Sequence, residues 1–318
     1  MRLAIINDYH HVAREAADWS RLPGLEVSFH GRVSDAEAPA LLADCDMVVT
    51  SREETRFDAA LLEKLPRLRL LVTHGMNNAA LDLPALAARG VTVCGTSYGF
   101  TMATVELAWG LILSLVKRIP AEDRAIREGG WGAALGGGLT GRVLGLVGLG
   151  TLGGDMARLG RAFGMEVIAW SENLTEDRCT EVGARHVQRH TLFAEADIVS
   201  IHTRYSKRTH GLVGAAELGA MRRHALLINT SRGPIVDEAA LVTALREGRI
   251  GGAGLDVYDT EPLPVSHSLR GLPNTVLTAH VGGRTRENFL VRYRDALETV
   301  EAFLAGRPLR VLAGPGSS

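Results

Sequence analysis

The stretch "GLVGLGTLGG", Gly145 to Gly154, decides the fold. Gly148, Gly150 and Gly153 have the G-x-G-x-x-G spacing of a turn that wraps a dinucleotide's pyrophosphate. The first glycine permits the tight turn, the second lets the backbone approach the phosphates, and the third lets helix and strand pack closely. In a chain with 36 glycines the spacing alone is weak, so its context carries the reading. "VLGLVG" before the turn is apolar throughout, as a buried strand is, and "DMARLGRAFG" after it has helical spacing and ends in glycine. The start of such a helix presents unpaired N–H groups to an anion.

A turn of this kind opens a nucleotide-binding domain, yet nearly half of the 318 residues precede it. The length fits two domains. From the start, short apolar runs alternate with helical patterns: "LAIIN", "MVVTS", "LRLLVTHG" and "VTVCG" read as strands, and "DAALLEKLP" and "DLPALAARG" as helices between them. Residues 1–98 are therefore expected to form a small α/β domain. A long helical pattern from Met102 to Arg118 follows, closed by Pro120. The second βα series runs through "RVLGLVGLG", "EVIAWS", "ADIVSIHT", "ALLINTS", "GAGLDVY" and "TVLTAH", six strands of a doubly wound nucleotide domain. The last helical pattern, Arg286 to Leu304, has no strands after it in this reading and is expected to return and cover the first domain. "GPGSS" reads as a frayed tail.

Composition narrows the function. Lys plus Arg (35) nearly balances Asp plus Glu (36), with no long basic run, so a nucleic-acid partner is not expected. The most apolar stretch, Leu107 to Val116, is about half the roughly 20 residues of a membrane span. "MRLAIINDYHH" lacks the regions of a signal peptide, which points to a cytoplasmic protein. Cys45, Cys94 and Cys179 are widely spaced, without a zinc or redox pattern, and read as ordinary buried thiols; no metal site is expected.

At the end of the next strand, "IAWSENL", a carboxylate ordinarily binds the adenosine ribose. Here Ser171 holds the strand end and Glu172 follows. A hydroxyl there, with Arg204, Lys207 and Arg208 on a neighbouring loop, would suit the 2′-phosphate of NADP. Glu172, Glu176 and Asp177 outnumber Arg178 and would repel it. The acidic excess favours NAD and leaves NADP as the alternative.

Three more segments follow at strand ends: "NTSRGPIVDEAAL", "GLDVYDTEPLP" and "LTAHVGGRT". With "SREET", "VTHGMNNAALD" and "ELAWGLIL" they make the whole chain resemble the D-isomer-specific 2-hydroxyacid dehydrogenase family, whose members include glyoxylate and hydroxypyruvate reductases and phosphoglycerate dehydrogenases. The resemblance implies two doubly wound α/β domains, with a Rossmann NAD(P)-binding domain (99–285) inserted in a flavodoxin-like substrate domain (1–98 and 286–318). It assigns catalysis to Arg232, Glu261 and His280, and that chemistry is coherent. An arginine fork holds the acid's carboxylate and polarises its ketone, a histidine gives the proton that accompanies hydride transfer, and a glutamate fixes that histidine's tautomer. Formate dehydrogenases carry glutamine in place of this glutamate, so Glu261 implies hydroxy-acid chemistry.

By the same resemblance Thr104, Gly148, Gly150, Thr151, Leu152, Gly153, Ser171, Glu172, His202, Thr203, Thr230, Ser231, Arg232, Asp256, His280 and Gly282 line the dinucleotide, Asp256 at its carboxamide. The substrate meets Arg52, the backbone amides of His74, Gly75 and Met76, Arg232 and His280, with Tyr9, His10, Tyr98, Phe100 and Trp131 as candidates to shape its pocket. The family also implies a homodimer, formed through the 102–118 helix, and with so few residues after the last helical pattern the C-terminal regulatory domain of many phosphoglycerate dehydrogenases is not expected. A rival reading is an NADH-sensing, corepressor-like binding module, because such relatives keep the fold and even the triad. They usually carry disordered interaction segments, which this sequence lacks.

Overall fold

The computed structural model describes residues 1–51, 55–97, 99–132 and 134–315. They fall into two compact units, Met1–Phe100 with Arg284–Ser318, and Thr101–Gly283.

In the first unit β1 (Arg2–Ile6), β2 (Glu26–Phe29), β3 (Met47–Thr50), β4 (Leu70–Thr73) and β5 (Thr92–Gly95) pair in parallel, and β13 (Val311–Ala313) lies antiparallel on β5. The strand order is β13-β5-β4-β3-β1-β2. Every residue of β3, β4 and β5 is buried, because helices cover both faces and the sequence has no polar alternation to spare. Alternate side chains serve opposite layers. Leu3, Ile5, Met47, Val49, Leu70 and Val72 meet Phe289, Tyr293, Ala296, Leu297 and Val300 of the helix Arg286–Leu304, while Ala4, Ile6, Val48 and Leu71 pack with Leu42, Leu62 and Leu86 on the other face. Asp58 and Asp82 cap the short helices Ala59–Leu62 and Leu83–Ala88 by accepting from Leu61 N and Ala85 N.

The second unit has β6 (Val143–Val147), β7 (Glu166–Trp170), β8 (Arg185–His186), β9 (Ile198–Ile201), β10 (Leu226–Asn229), β11 (Gly252–Leu255) and β12 (Thr275–Leu277). They form one parallel sheet in the order β12-β11-β10-β9-β6-β7-β8. The order reverses between β6 and β9, which makes their carboxyl ends a topological switch point. The helix Met102–Val116 packs on this sheet and buries Ala103, Val105, Ala108, Trp109, Leu111, Ile112 and Val116. Gly254 makes room for it: a Cβ there would lie 2.9 Å from Leu111 Cβ.

Both sheets are doubly wound, and several details differ from the sequence reading. The second sheet has seven strands, not six, since β8 is two residues long and too short to show a period. A strand does follow the last helix: β13 pairs with β5 through Val311–Cys94 and Ala313–Val93. β2 leaves no clear strand signal in the sequence, because as an edge strand it is only half covered and "EVSF" is not an apolar run. Pro120 does not simply close a helix. It sits in the first turn of a second one, Ile119–Arg127, where a missing N–H costs nothing, after Arg118 reverses the chain at φ 59°. Of the "GPGSS" tail, residues 316–318 lie outside the described residues.

Candidate active site

The glycine turn joins β6 to the helix Thr151–Ala162 with Gly150 as its N-cap. Gly148 has φ 99°, and a Cβ on it would lie 2.8 Å from Thr203 N and 2.9 Å from the carbonyl carbon of His202. A Cβ on Gly153 would run into Gly148 O, so the third glycine lets the helix descend onto the turn. Gly150 faces open space within 4 Å. The first amides of the helix, at Thr151, Leu152 and Gly153, are those that a helix leaves without internal partners. Thr230 Oγ1, just after β10 and with β9 between it and β6, is buried without a hydrogen-bond partner. An open cradle of helix-end amides fits a dinucleotide's phosphates.

Around the turn, His202 is half-buried with Nε2 2.8 Å from Ser200 Oγ, and burial pushes its pKa down to about 4, so it is a neutral wall. Ser231 donates its hydroxyl to Thr203 O at 2.6 Å. Thr104 is half-buried, its methyl 3.4 Å from where a Cβ on Gly282 would stand. Beyond β7, Ser171 is half-buried and Glu172 exposed. The loop carrying Arg204, Lys207 and Arg208 closes on itself, Thr209 Oγ1 donating to Arg204 O and accepting from Ser206 N. Among the described residues no hydrogen bond or ion pair joins it to Ser171 or Glu172.

Asp256 does not stand open for a carboxamide. It is 1% exposed, and its carboxylate accepts from Thr278 Oγ1 (2.6 Å), Val281 N (2.8 Å) and Gly282 N (2.9 Å). Its backbone carbonyl also accepts from His280 N at 2.8 Å. These bonds grip the loop on which His280 takes a left-handed φ of 54°, a conformation that a non-glycine residue holds only when its surroundings fix it.

His280 Nδ1 lies 2.6 Å from Glu261 Oε2, and Glu261 Oε1 accepts from Tyr258 N at 3.0 Å. Burial pushes the Glu261 carboxyl up, but the bonds from His280 and the Tyr258 amide, with the charge of Arg232, hold it below the usual carboxylate range. Arg232 is half-buried and donates from Nη1 to Ser231 O at 2.7 Å. Its turn is organised by Asn229, a residue the sequence reading passed over: Asn229 Nδ2 donates to Arg232 O (3.0 Å) and Oδ1 accepts from Ser231 N (3.0 Å). Gly233 then lies directly on the Tyr258–Asp259 peptide, with a Cβ position 2.6 Å from Asp259 N and closer still to the Tyr258 carbonyl. Only glycine lets the arginine turn reach the segment that carries Glu261. The one signal for either residue was its place in "NTSRG".

In the first unit the expected carboxylate loop is arranged differently. His74 N donates to Thr50 O (3.1 Å), prolonging the β3–β4 ladder, and Gly75 N donates to Thr96 Oγ1 (2.9 Å). Two of the three amides assigned to the acid are thus already engaged, which leaves that of half-buried Met76. Tyr9 is half-buried and His10 exposed after β1, while Phe100 and Trp131 are exposed, Trp131 to 91%. Arg52 and Tyr98 lie outside the described residues. Among the described residues no His, Cys, Asp or Glu group could hold a metal, and no helix is long and apolar enough to cross a membrane.

The family model for "D-isomer specific 2-hydroxyacid dehydrogenase, NAD binding domain" matches residues 109–282. A glyoxylate reductase from Korarchaeum cryptofilum is 35% identical over 83% of this chain and 81% of its own. A D-3-phosphoglycerate dehydrogenase from Archaeoglobus fulgidus is 32% identical over 94% of this chain, which spans only 57% of that longer relative. The crystal structure of a phosphoglycerate oxidoreductase from Vibrio cholerae superposes with a TM-score of 0.89 at 32% identity, covering 96% of this chain and 99% of that one. Nothing in these comparisons supports a corepressor-like module. With its glycine cradle and its doubly wound sheets, the chain belongs to the D-isomer-specific 2-hydroxyacid dehydrogenase family and is an NAD-binding oxidoreductase.

Proposed function

We propose that this chain reduces a small 2-oxo acid, of the size of glyoxylate or hydroxypyruvate, to its D-2-hydroxy acid, with Arg232, Glu261 and His280 as the catalytic set. The observation that carries the proposal is the 2.6 Å contact between Glu261 Oε2 and His280 Nδ1. An ionised Glu261 accepts from Nδ1–H, so Nε2 is the nitrogen that gives its proton to the nascent alkoxide and takes it back in oxidation. Arg232 binds the carboxylate and polarises the 2-oxo group with a fork of donors that matches both oxygens. NADH supplies the hydride. Gly148, Gly150, Thr151, Leu152 and Gly153 hold its pyrophosphate, and Thr104, His202, Thr203, Thr230, Ser231 and Gly282 shape the walls. Asp256 acts by fixing the His280 loop.

Residues 1–98 with 286–318 serve as the substrate domain in this reading. The protein is proposed to act in the cytoplasm, on the cellular NAD(H) pool, as a homodimer. The helix Met102–Val116 spends most of its apolar residues inside its own unit, so the dimer contact is assigned to the exposed Ile119, Ile126, Trp131 and Leu135 that follow it. Light scattering of Trp131→Glu together with Leu135→Glu tests this, and monomers are expected. The test of the activity is NADH oxidation with a panel of 2-oxo acids, followed by chiral analysis of the product. Tight NADH binding without turnover of any of them would refute the proposal.

A further inference from the structure

The glycine turn carries a fourth glycine, Gly154, that the G-x-G-x-x-G fingerprint does not require. What fills the place of its side chain is an arginine from elsewhere: a Cβ on Gly154 would lie 2.6 Å from Arg178 Nη2. Arg178 stands in the helix Glu176–Val182, beyond β7, and reaches back to the turn. Its Nε donates to Leu149 O at 3.0 Å and its Nη2 to Gly150 O at 3.2 Å, while Nη1 is held by Glu181 Oε2 at 2.6 Å. The guanidinium therefore binds the two carbonyls of the turn itself, one of them belonging to the N-cap of the helix Thr151–Ala162.

We propose that Gly154 and Arg178 form one cofactor-positioning device, in which Gly154 leaves the notch through which Arg178 clamps the turn that receives the dinucleotide's pyrophosphate. Two physical effects follow from the same contacts. When the Leu149 and Gly150 carbonyls are tied down on the Arg178 side, the intervening peptides cannot flip and the amides of the cradle keep their aim, so the turn is preorganised before the cofactor arrives. The planar fork also suits two carbonyls at once, where an ammonium would reach one, while Glu181 offsets the charge and fixes the guanidinium's orientation. Neither effect touches the proton chemistry at His280. This inference rests on NAD binding at the glycine turn, and it assigns a residue pair rather than a ligand.

The decisive variant is Gly154→Ala. Gly154 lies inside the helix, its N–H already bonded to Gly150 O, where alanine is the better helix former, and the only close obstacle to its methyl is the far end of a flexible side chain, so the variant is expected to fold with an unchanged or raised Tm. The methyl displaces the guanidinium from the turn. NADH titration by fluorescence, alongside Arg178→Gln and the double variant, should show about a tenfold weaker Kd in each single variant and no further loss in the double, because the pair acts as one unit. At saturating NADH, kcat and the KM for the 2-oxo acid should stay within about twofold of wild type, and Arg178→Lys should recover part of the affinity. If Gly154→Ala or Arg178→Gln binds NADH as tightly as wild type, or if their losses add, the proposal is wrong. Failure of the wild type itself to bind NADH would instead overturn the cofactor site.

Discussion

Replacing Gly233 with alanine tests whether the arginine turn and the glutamate–histidine pair act as one rigid constellation. A Cβ at this position would lie 2.6 Å from Asp259 N, so reaching an ordinary contact of 3.4 Å requires at least 0.8 Å of separation, and the Tyr258 carbonyl is closer still. Neither side is a flexible side chain. Both are backbone, the one carrying Arg232 and the other leading three residues on to Glu261, so the displacement passes directly into the spacing of the catalytic groups. A misplacement of about 1 Å costs on the order of 10²-fold in rate, or about 2.7 kcal/mol of barrier, and the overpacking itself costs about 1–3 kcal/mol of stability. Steady-state kinetics should show kcat/KM for the 2-oxo acid down by about 10²-fold in a variant that circular dichroism shows to be folded, with a much smaller change in NADH affinity. Gly219→Ala is the control, because nothing lies within 4 Å of its added methyl. A folded Gly233→Ala enzyme with kcat/KM within about threefold of wild type would refute the reasoning.

His280→Ala should lower kcat for reduction by at least about 10²-fold with little change in NADH Kd, and near-normal turnover would remove His280 from the mechanism. Arg232→Lys keeps the charge but loses the fork, and should raise KM and depress kcat together; unchanged constants would show that no carboxylate sits there. The neutral His202 makes stability depend on pH. Below about pH 6.5 the unfolded chain takes up a proton that the folded one refuses until about pH 4, so stability falls over that window by about 3 kcal/mol. His202→Gln should lose about that much less than wild type between about pH 7.5 and about pH 4.5 in urea unfolding, and an identical slope would contradict the neutral assignment. Glu172→Ser should shift the NADPH to NADH ratio of kcat/KM by about tenfold towards NADPH if Glu172 holds the ribose, and leave it unmoved if Glu172 only faces solvent.

The parts of this protein that show in its sequence are those where burial leaves no choice. β3, β4, β5, β9 and β10 are apolar at nearly every position because helices cover both of their faces, and the glycines at 148 and 153 stand where backbone meets backbone. Elements with less to bury leave less trace: β8 has two residues, β2 is a half-covered edge, and β13 is a three-residue return after a helix that reads as a terminus. The site is legible in the same uneven way. Arg232, Glu261 and His280 follow from the order of family motifs, and the fold brings the last two into contact. Partners chosen by the fold are not written locally. That Asp256 turns inward to hold the His280 loop, that the Gly75 amide is taken by Thr96, and that Arg178 crosses to the glycine turn all depend on residues 20 or more positions apart in the chain.

The sheet of the first unit is completed from both ends of the chain, and this has a cost in time. On one face of its strands, Leu3, Ile5, Met47, Val49, Leu70 and Val72 are covered largely by a helix that begins only at Arg286. On the ribosome about 180 residues of the other unit are made in between, which at usual elongation rates is roughly 10–40 s. During that interval the nascent first unit has an apolar layer covered only in part, by Val12, Ala13, Ala16, Trp19 and Leu22, and an unpaired β5 edge, while the Thr101–Gly283 unit is continuous in sequence. Synthesis thus passes through a stage in which the continuous unit has its whole sequence and the other does not, and slower translation before Arg286 is expected to lengthen the exposure of that apolar layer.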